Sequence, residues 1–168
     1  AVTQTMWEEV LPKAVKTRIV RAMGLPIDPF CFELARKIVA WIAGLHDLGK
    51  ASPPFTLRKS ASHLHWLYQN TDFSFAKTLA EFRSIPPAGQ APHSYVTAAT
   101  LPLIMEAFGL AIESARLVSE IIGGHHGTFA ESGDLTRRRK QAATATGSAE
   151  LGNQQWQEVR RDLAVVLA

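Results

Sequence analysis

Six histidines stand in this 168-residue chain, and four of them fall where helical patterns break off: His46 beside Asp47, His93, and His125 beside His126. Neighbouring residues on a helix point about 100° apart, so an adjacent pair at a helix end converges only on a centre approached from different angles. A metal pair is such a centre. Imidazole and carboxylate with no thiolate suit Mn, Fe, Co, Ni or Zn, and one carboxylate can bridge two ions about 3.5 to 4 Å apart. Ions so placed activate water and clamp the oxygens of a phosphodiester, which points to phosphoester hydrolysis. With six His and five Asp in the chain, roughly 0.2 His-His and 0.2 His-Asp neighbours are expected by chance, so the two together weigh more than either alone. Taken singly, His93 reads as a cap or a surface residue at a helix start. His63 and His65, beside Trp66 and Tyr68, read as packing or surface residues.

These residues need helices to position them. Residues 2–23 carry Met6, Val10, Val15, Ile19 and Met23 near helical spacing, which predicts one helix ending at Gly24-Leu25-Pro26. Asp28-Pro29 supplies an N-cap and a proline at the first helical position. The apolar set Cys31, Leu34, Ile38, Ile42 and Leu45 then carries a second helix to His46-Asp47, where Gly49 and Ser52-Pro53-Pro54 stop it. Residues 60–83 show two shorter helical patterns before the loop Pro86-Pro87-Ala88-Gly89. His93 opens the next helix, and Pro102 is expected to kink or split it. Residues 111–122 form another, ending in Gly123-Gly124-His125-His126-Gly127.

From 128 to 153 the pattern lapses into Gly, Ser, Thr and Ala around the basic run at 137–140, which predicts a long loop. Trp156, Val159, Leu163, Val166 and Leu167 predict a last helix. Neither a sustained period-two alternation nor an internal repeat is present, so the expected fold is all-α.

Composition bounds the remaining possibilities. The chain is 46% apolar and 20% charged, as expected of one ordinary domain with a core of its own. Cys31 is its only cysteine, which excludes an internal disulfide framework and a Cys-rich metal site, and suggests a reducing compartment. With no membrane-length apolar run and no signal sequence, a cytoplasmic location is expected. A net charge of +3 permits a polyanionic partner without arguing for one. Trp7, Trp41 and Trp156 lie on apolar helix faces and are expected in the core.

The stretch Ala43-Gly44-Leu45-His46-Asp47-Leu48-Gly49-Lys50-Ala51-Ser52-Pro53, followed by Phe55, resembles the His-Asp motif region of the HD phosphohydrolase superfamily. It is similar more narrowly to the HD nuclease domain of the CRISPR-associated nuclease-helicase of type I systems. His93-Ser94, the Gly-bounded His125-His126 pair, and Trp156 with Arg160 follow in the order of that family, so the likeness spans nearly the whole chain. The resemblance implies an HD-type helical bundle holding two divalent ions, Mn, Fe, Co, Ni or Mg. His46, Asp47, His93, His125 and His126 would be ligands, with Asp47 the bridge, and Lys50 would stabilise charge near the scissile phosphate. The implied activity is endo- or exonucleolytic cleavage of single-stranded DNA, coupled to a helicase motor that a guide-RNA surveillance complex recruits. The basic run at 137–140 is a candidate contact for the strand backbone.

Two ligands of that family are not matched. It has a further metal-binding His upstream of its His-Asp pair, and no His precedes residue 46 here; the register places it before Ala1. It also has an Asp on a helix after the histidine pair, and Asp162 falls ahead of that position. The chain is therefore expected to be a piece of a longer one. The alternatives are a stand-alone HD phosphohydrolase acting on nucleotides, and a non-catalytic helical docking module with an incomplete metal site.

Overall fold

A computed structural model describes residues 2–56, 69 and 91–167, and every regular element among them is helical. The patterns of residues 60–83, the loop at 86–89, His63, His65 and Trp66 lie outside the described residues. Two compact units divide the chain, one comprising the residues through Leu45 together with Leu167, the other His46–Val166.

In the first unit the expected single helix over 2–23 is three pieces: α1 (Val2–Thr5), a π turn (Met6–Val10) and α2 (Lys13–Ala22). Pro12 explains the break. A residue before proline is driven out of the helical region, and Leu11 is extended with ψ 123° while its N–H closes the π turn on the Met6 carbonyl at 2.9 Å. The next helix, α3 (Pro29–Leu45), starts as predicted, with Asp28 Oδ1 accepting from the Cys31 N–H at 2.8 Å. Its deepest face is not the predicted stripe. Cys31 and Ala35 join Trp7 and Val20 in the core, with Phe32 and Val39 against them, while Leu34, Ile38, Ile42 and Trp41 are half-buried.

The second unit is organised around α5 (His93–Ala107), which follows a 3₁₀ turn (Leu48–Lys50) and the short α4 (Pro53–Thr56). Against α5 pack that turn, α6 (Ile112–Gly123), the 3₁₀ turn Gly124–His126, and α7 (Ser132–Ala142). The expected split at Pro102 does not occur. Residues 96–102 of α5 are all buried, and this packing outweighs the one hydrogen bond that proline removes. Val96, Ala98 and Ala99 meet Leu135, Ala142 and Leu151 in the core.

α7 occupies the middle of the expected long loop. It is held by ion pairs more than by an apolar stripe: Asp134 binds Arg137 at 2.6 Å and Arg138 at 2.7 Å, and the buried Arg138 also meets Glu150 at 2.6 Å. In α8 (Gln154–Leu167) the buried set is Trp156, Arg160 and Ala164, four residues apart, whereas Leu163 and Val166 are exposed. The predicted face was displaced because an arginine, not an aliphatic residue, takes the central inward position.

Candidate metal centre

His46 and Asp47 follow α3 directly, where the chain leaves the helix for the 3₁₀ turn. Two features fix this turn against α5. A Cβ at Gly49 would run into the backbone carbonyl of His93, so only glycine lets the turn lie this close. The Gly49 N–H donates to the Thr97 hydroxyl at 2.9 Å, and that hydroxyl in turn donates to the His46 carbonyl at 3.3 Å. Thr97 lies one helical turn beyond His93 on α5, and it is fully buried.

The second pair arrives by a similar close approach. At Gly123, the last residue of α6, a Cβ would stand 2.6 Å from Ala98 Cβ and 2.8 Å from the Ser94 carbonyl oxygen. Helix α6 therefore ends against the first turns of α5, and the 3₁₀ turn that follows carries His125 and His126 to His93.

All five predicted ligands meet. His93 Nε2 lies 3.1 Å from His126 Nε2 and 3.2 Å from Asp47 Oδ1; His46 Nε2 lies 3.2 Å from Asp47 Oδ2. The His125 ring is 5.0 Å from that of His46 and 4.0 Å from that of His126, centroid to centroid. Two groups have ligand atoms within 4.8 Å of one another, His93 with His125 and His126, and His46 with Asp47 and His125. His125 belongs to both. Its Nδ1 lies 2.8 Å from the Ile122 carbonyl, which makes Nδ1 the protonated nitrogen and leaves the Nε2 lone pair for a ligand.

The electrostatics suit cation binding. Burial pushes the Asp47 carboxyl up, but the hydrogen bond from Lys50 and the charges of His46, Lys50 and His93 outweigh it and hold the group below the usual carboxylate range. For His93, burial pushes the imidazole down. Asp47 opposes without prevailing, and Lys50, His126 and His125 add to the downward shift. At neutral pH the set is thus a carboxylate among imidazoles with free lone pairs, a donor chemistry that fits divalent transition metals. Asp47 turns one oxygen towards His93 and the other towards His46 and Lys50.

Lys50 Nζ sits 2.6 Å from Asp47 Oδ2 and 5.8 Å from the centre of the Phe55 ring, which also stacks edge-on against His93. Asp162 is exposed on α8, 3.8 Å from Arg161. The basic run is largely committed: Arg137 and Arg138 to Asp134, and Arg139 to Glu120 at 2.9 Å. Sequence reasoning missed Thr97 and the inward side chain of Arg160, whose Nη1 donates to the Ala51 carbonyl at 2.5 Å. The signal available for Arg160 was its four-residue spacing from Trp156 and Ala164. For Thr97 it was a polar residue on the His93 face of an apolar helix.

Comparison with known proteins agrees with this geometry. A model of the family described as "Cas3, HD domain" matches residues 1–168. A solved structure of a CRISPR-associated protein is 33% identical, with a TM-score of 0.69 over 99% of this chain and 16% of that one. The crystal structure of T. fusca Cas3 is 22% identical, with a TM-score of 0.64 over 98% of this chain and 16% of that one. A CRISPR RNA-guided surveillance complex, pre-nicking, supplies a chain 21% identical, with a TM-score of 0.63 over 98% of this chain and 17% of that one. At those last two identities the likeness speaks for the fold alone, and this chain spans about one sixth of the length of each neighbour. No curated protein sequence matches significantly. The family match over the whole chain, the helical fold and the His-Asp cluster agree, and the chain belongs to the Cas3 HD domain family.

Proposed function

We propose that the chain is a metal-dependent nuclease domain that cuts single-stranded DNA in CRISPR interference. The observation that carries this reading is the pair of ligand groups sharing His125, with the Asp47 carboxylate facing both sides of the cluster. His46, Asp47, His93, His125 and His126 would hold two divalent ions, with Asp47 between them. Ions bound there supply Lewis acidity and water activation for phosphodiester hydrolysis. The chain's own residues do the rest. The His125 Nδ1 contact to Ile122 fixes its ring, Thr97 and Gly49 hold the turn bearing Asp47, and Lys50 places a positive charge at the edge of the cluster to attract a phosphate.

The domain would work as one HD-type unit beside a helicase motor, on the same chain or as a partner, and with a guide-RNA surveillance complex. Support for these partners comes from the neighbours, one of which is a surveillance complex and all of which are much longer chains. No helix among the described residues is long and apolar enough to cross a membrane.

The test is cleavage by the purified protein, with Mn²⁺, Co²⁺ or Ni²⁺, of circular and linear single-stranded DNA and, separately, of nucleoside triphosphates. Metal-dependent DNA cleavage with triphosphates left intact is expected. Hydrolysis of triphosphates alone would replace this reading with a nucleotide phosphohydrolase. Neither activity, with no metal uptake, would leave a docking module.

A further inference from the structure

The segment 46–52 carries Asp47 and Lys50, and it is gripped from two helices at two different places. On its incoming side the Thr97 hydroxyl bridges the His46 carbonyl and the Gly49 N–H, the peptide groups that bracket Asp47. On its outgoing side Arg160 Nη1 donates to the carbonyl of Ala51, the residue after Lys50. Within the segment, the Lys50 N–H bonds back to the Asp47 carbonyl at 2.9 Å and the Ala51 N–H to the Leu48 carbonyl at 3.1 Å.

Arg160 is an expensive way to fill space. It is fully buried, and its Nε and Nη2 find no hydrogen-bond acceptor among the described residues. Burial pushes its guanidinium down to about 9, so it stays charged at neutral pH. A buried cation without an acidic partner is destabilising, and an aliphatic side chain of similar volume would pack more favourably. The bond to Ala51 is the interaction that an aliphatic residue could not make. Thr97 poses a similar question: valine has its shape, yet would leave the Gly49 N–H without the acceptor it now has.

We propose that Thr97 and Arg160 are positioning residues that fix the two ends of this turn separately, Thr97 setting the metal-facing Asp47 and Arg160 setting Lys50. Neither touches the ligand cluster. Each acts through a peptide group, one on either side of the residue it governs. The inference rests on the nuclease reading for what Asp47 and Lys50 do, but the two contacts are independent of it.

The experiment uses the intact protein, Co²⁺ as the metal probe read by its visible d–d absorption, and steady-state cleavage of single-stranded DNA. Thr97→Val should weaken Co²⁺ binding about 10- to 100-fold and alter the absorption bands, as expected when support behind a ligand is lost. Thr97→Ser should keep wild-type affinity and bands although it loses a buried methyl group. A packing role predicts the opposite order, with Ser the worse variant. Arg160→Met should leave Co²⁺ affinity unchanged and raise the KM for DNA about tenfold, the equivalent of one hydrogen bond to a charged group. Arg160→Lys should recover most of that loss.

Equal losses of Co²⁺ affinity in Thr97→Val and Thr97→Ser would overturn the role of Thr97. Loss of Co²⁺ affinity in Arg160→Met, or no recovery with Arg160→Lys, would overturn the separate control of Lys50. A wild-type protein that takes up no Co²⁺ would instead overturn the nuclease reading itself.

Discussion

His93 Nε2 stands 3.2 Å from Asp47 Oδ1, although one residue opens α5 and the other lies in the turn after α3. The contact exists because Gly49 lets the turn lie against the His93 carbonyl and Thr97 fixes it there. It joins the His-Asp motif to the histidine pair at the end of α6, and the behaviour of the cluster under substitution follows from it.

Asp47→Ala removes the one carboxylate in the two ligand groups. Metal-dependent cleavage should fall by more than the 10- to 100-fold usual for residues that only support a ligand, and metal stoichiometry should drop. The residue is partly exposed and outside the core, so thermal unfolding of the metal-free protein should change little. Cleavage assays with Mn²⁺ and metal analysis of the purified variant check both outcomes.

His125 belongs to both ligand groups and His126 to one. His125→Ala should therefore lower metal content and activity more than His126→Ala does. Titration of each variant with Co²⁺ gives the comparison directly, and equal losses would show that His125 is not shared.

Gly49→Ala should destabilise the fold by about 1 to 3 kcal/mol, the cost of overpacking a site whose neighbour is backbone and cannot turn aside. Activity should fall with it, since the turn must move away from His93. Gly133→Ala serves as the contrast. Its added methyl group meets nothing within 4 Å, and unfolding should be unchanged or slightly later. Thermal and urea unfolding of the two variants separate these effects.

Asp134 ties α7 together. Its carboxyl is held below the usual range by the hydrogen bond from Arg138 and then that from Arg137, against a smaller effect of burial. A depressed folded-state value means that the pair stabilises the protein above the unfolded carboxylate range, and that this is lost as pH falls through the lowered value. Asp134→Asn should therefore cost about 1 kcal/mol at pH 7, modest because the group is partly exposed. The variant and the wild type should converge in urea stability as the pH falls to the acid end of the carboxylate range.

The ligand set was legible because its residue types are rare and sit where helices end, and the boundaries set by Gly24, Asp28-Pro29 and Gly123 are local chemistry. Pro12 was equally local, but the apolar spacing on either side of it masked the break. Helix α7 was invisible to apolar periodicity for a physical reason. Its buried face comprises Leu135, Arg138 and Ala142, and half its stability is ionic. The same blindness moved the face of α8, where Arg160 replaces the expected aliphatic residue. Thr97 could be placed on the His93 face from spacing, but its partners come from a segment distant in sequence, and only the folded chain brings them together.

The neutralisation of α7 bears on how the domain would compete with salt for a polyanion. Association with a nucleic acid strand draws much of its strength from releasing condensed counterions, in proportion to the phosphates that free cations replace. Of the four basic residues at 137–140, Lys140 alone makes no ion pair among the described residues. The helix therefore has little charge left to exchange, and single-strand binding by the isolated domain should show a shallow salt slope, about −0.7 for each phosphate contacted. On the nuclease reading, such a domain cuts a strand whose grip and delivery are the work of another part of the machine.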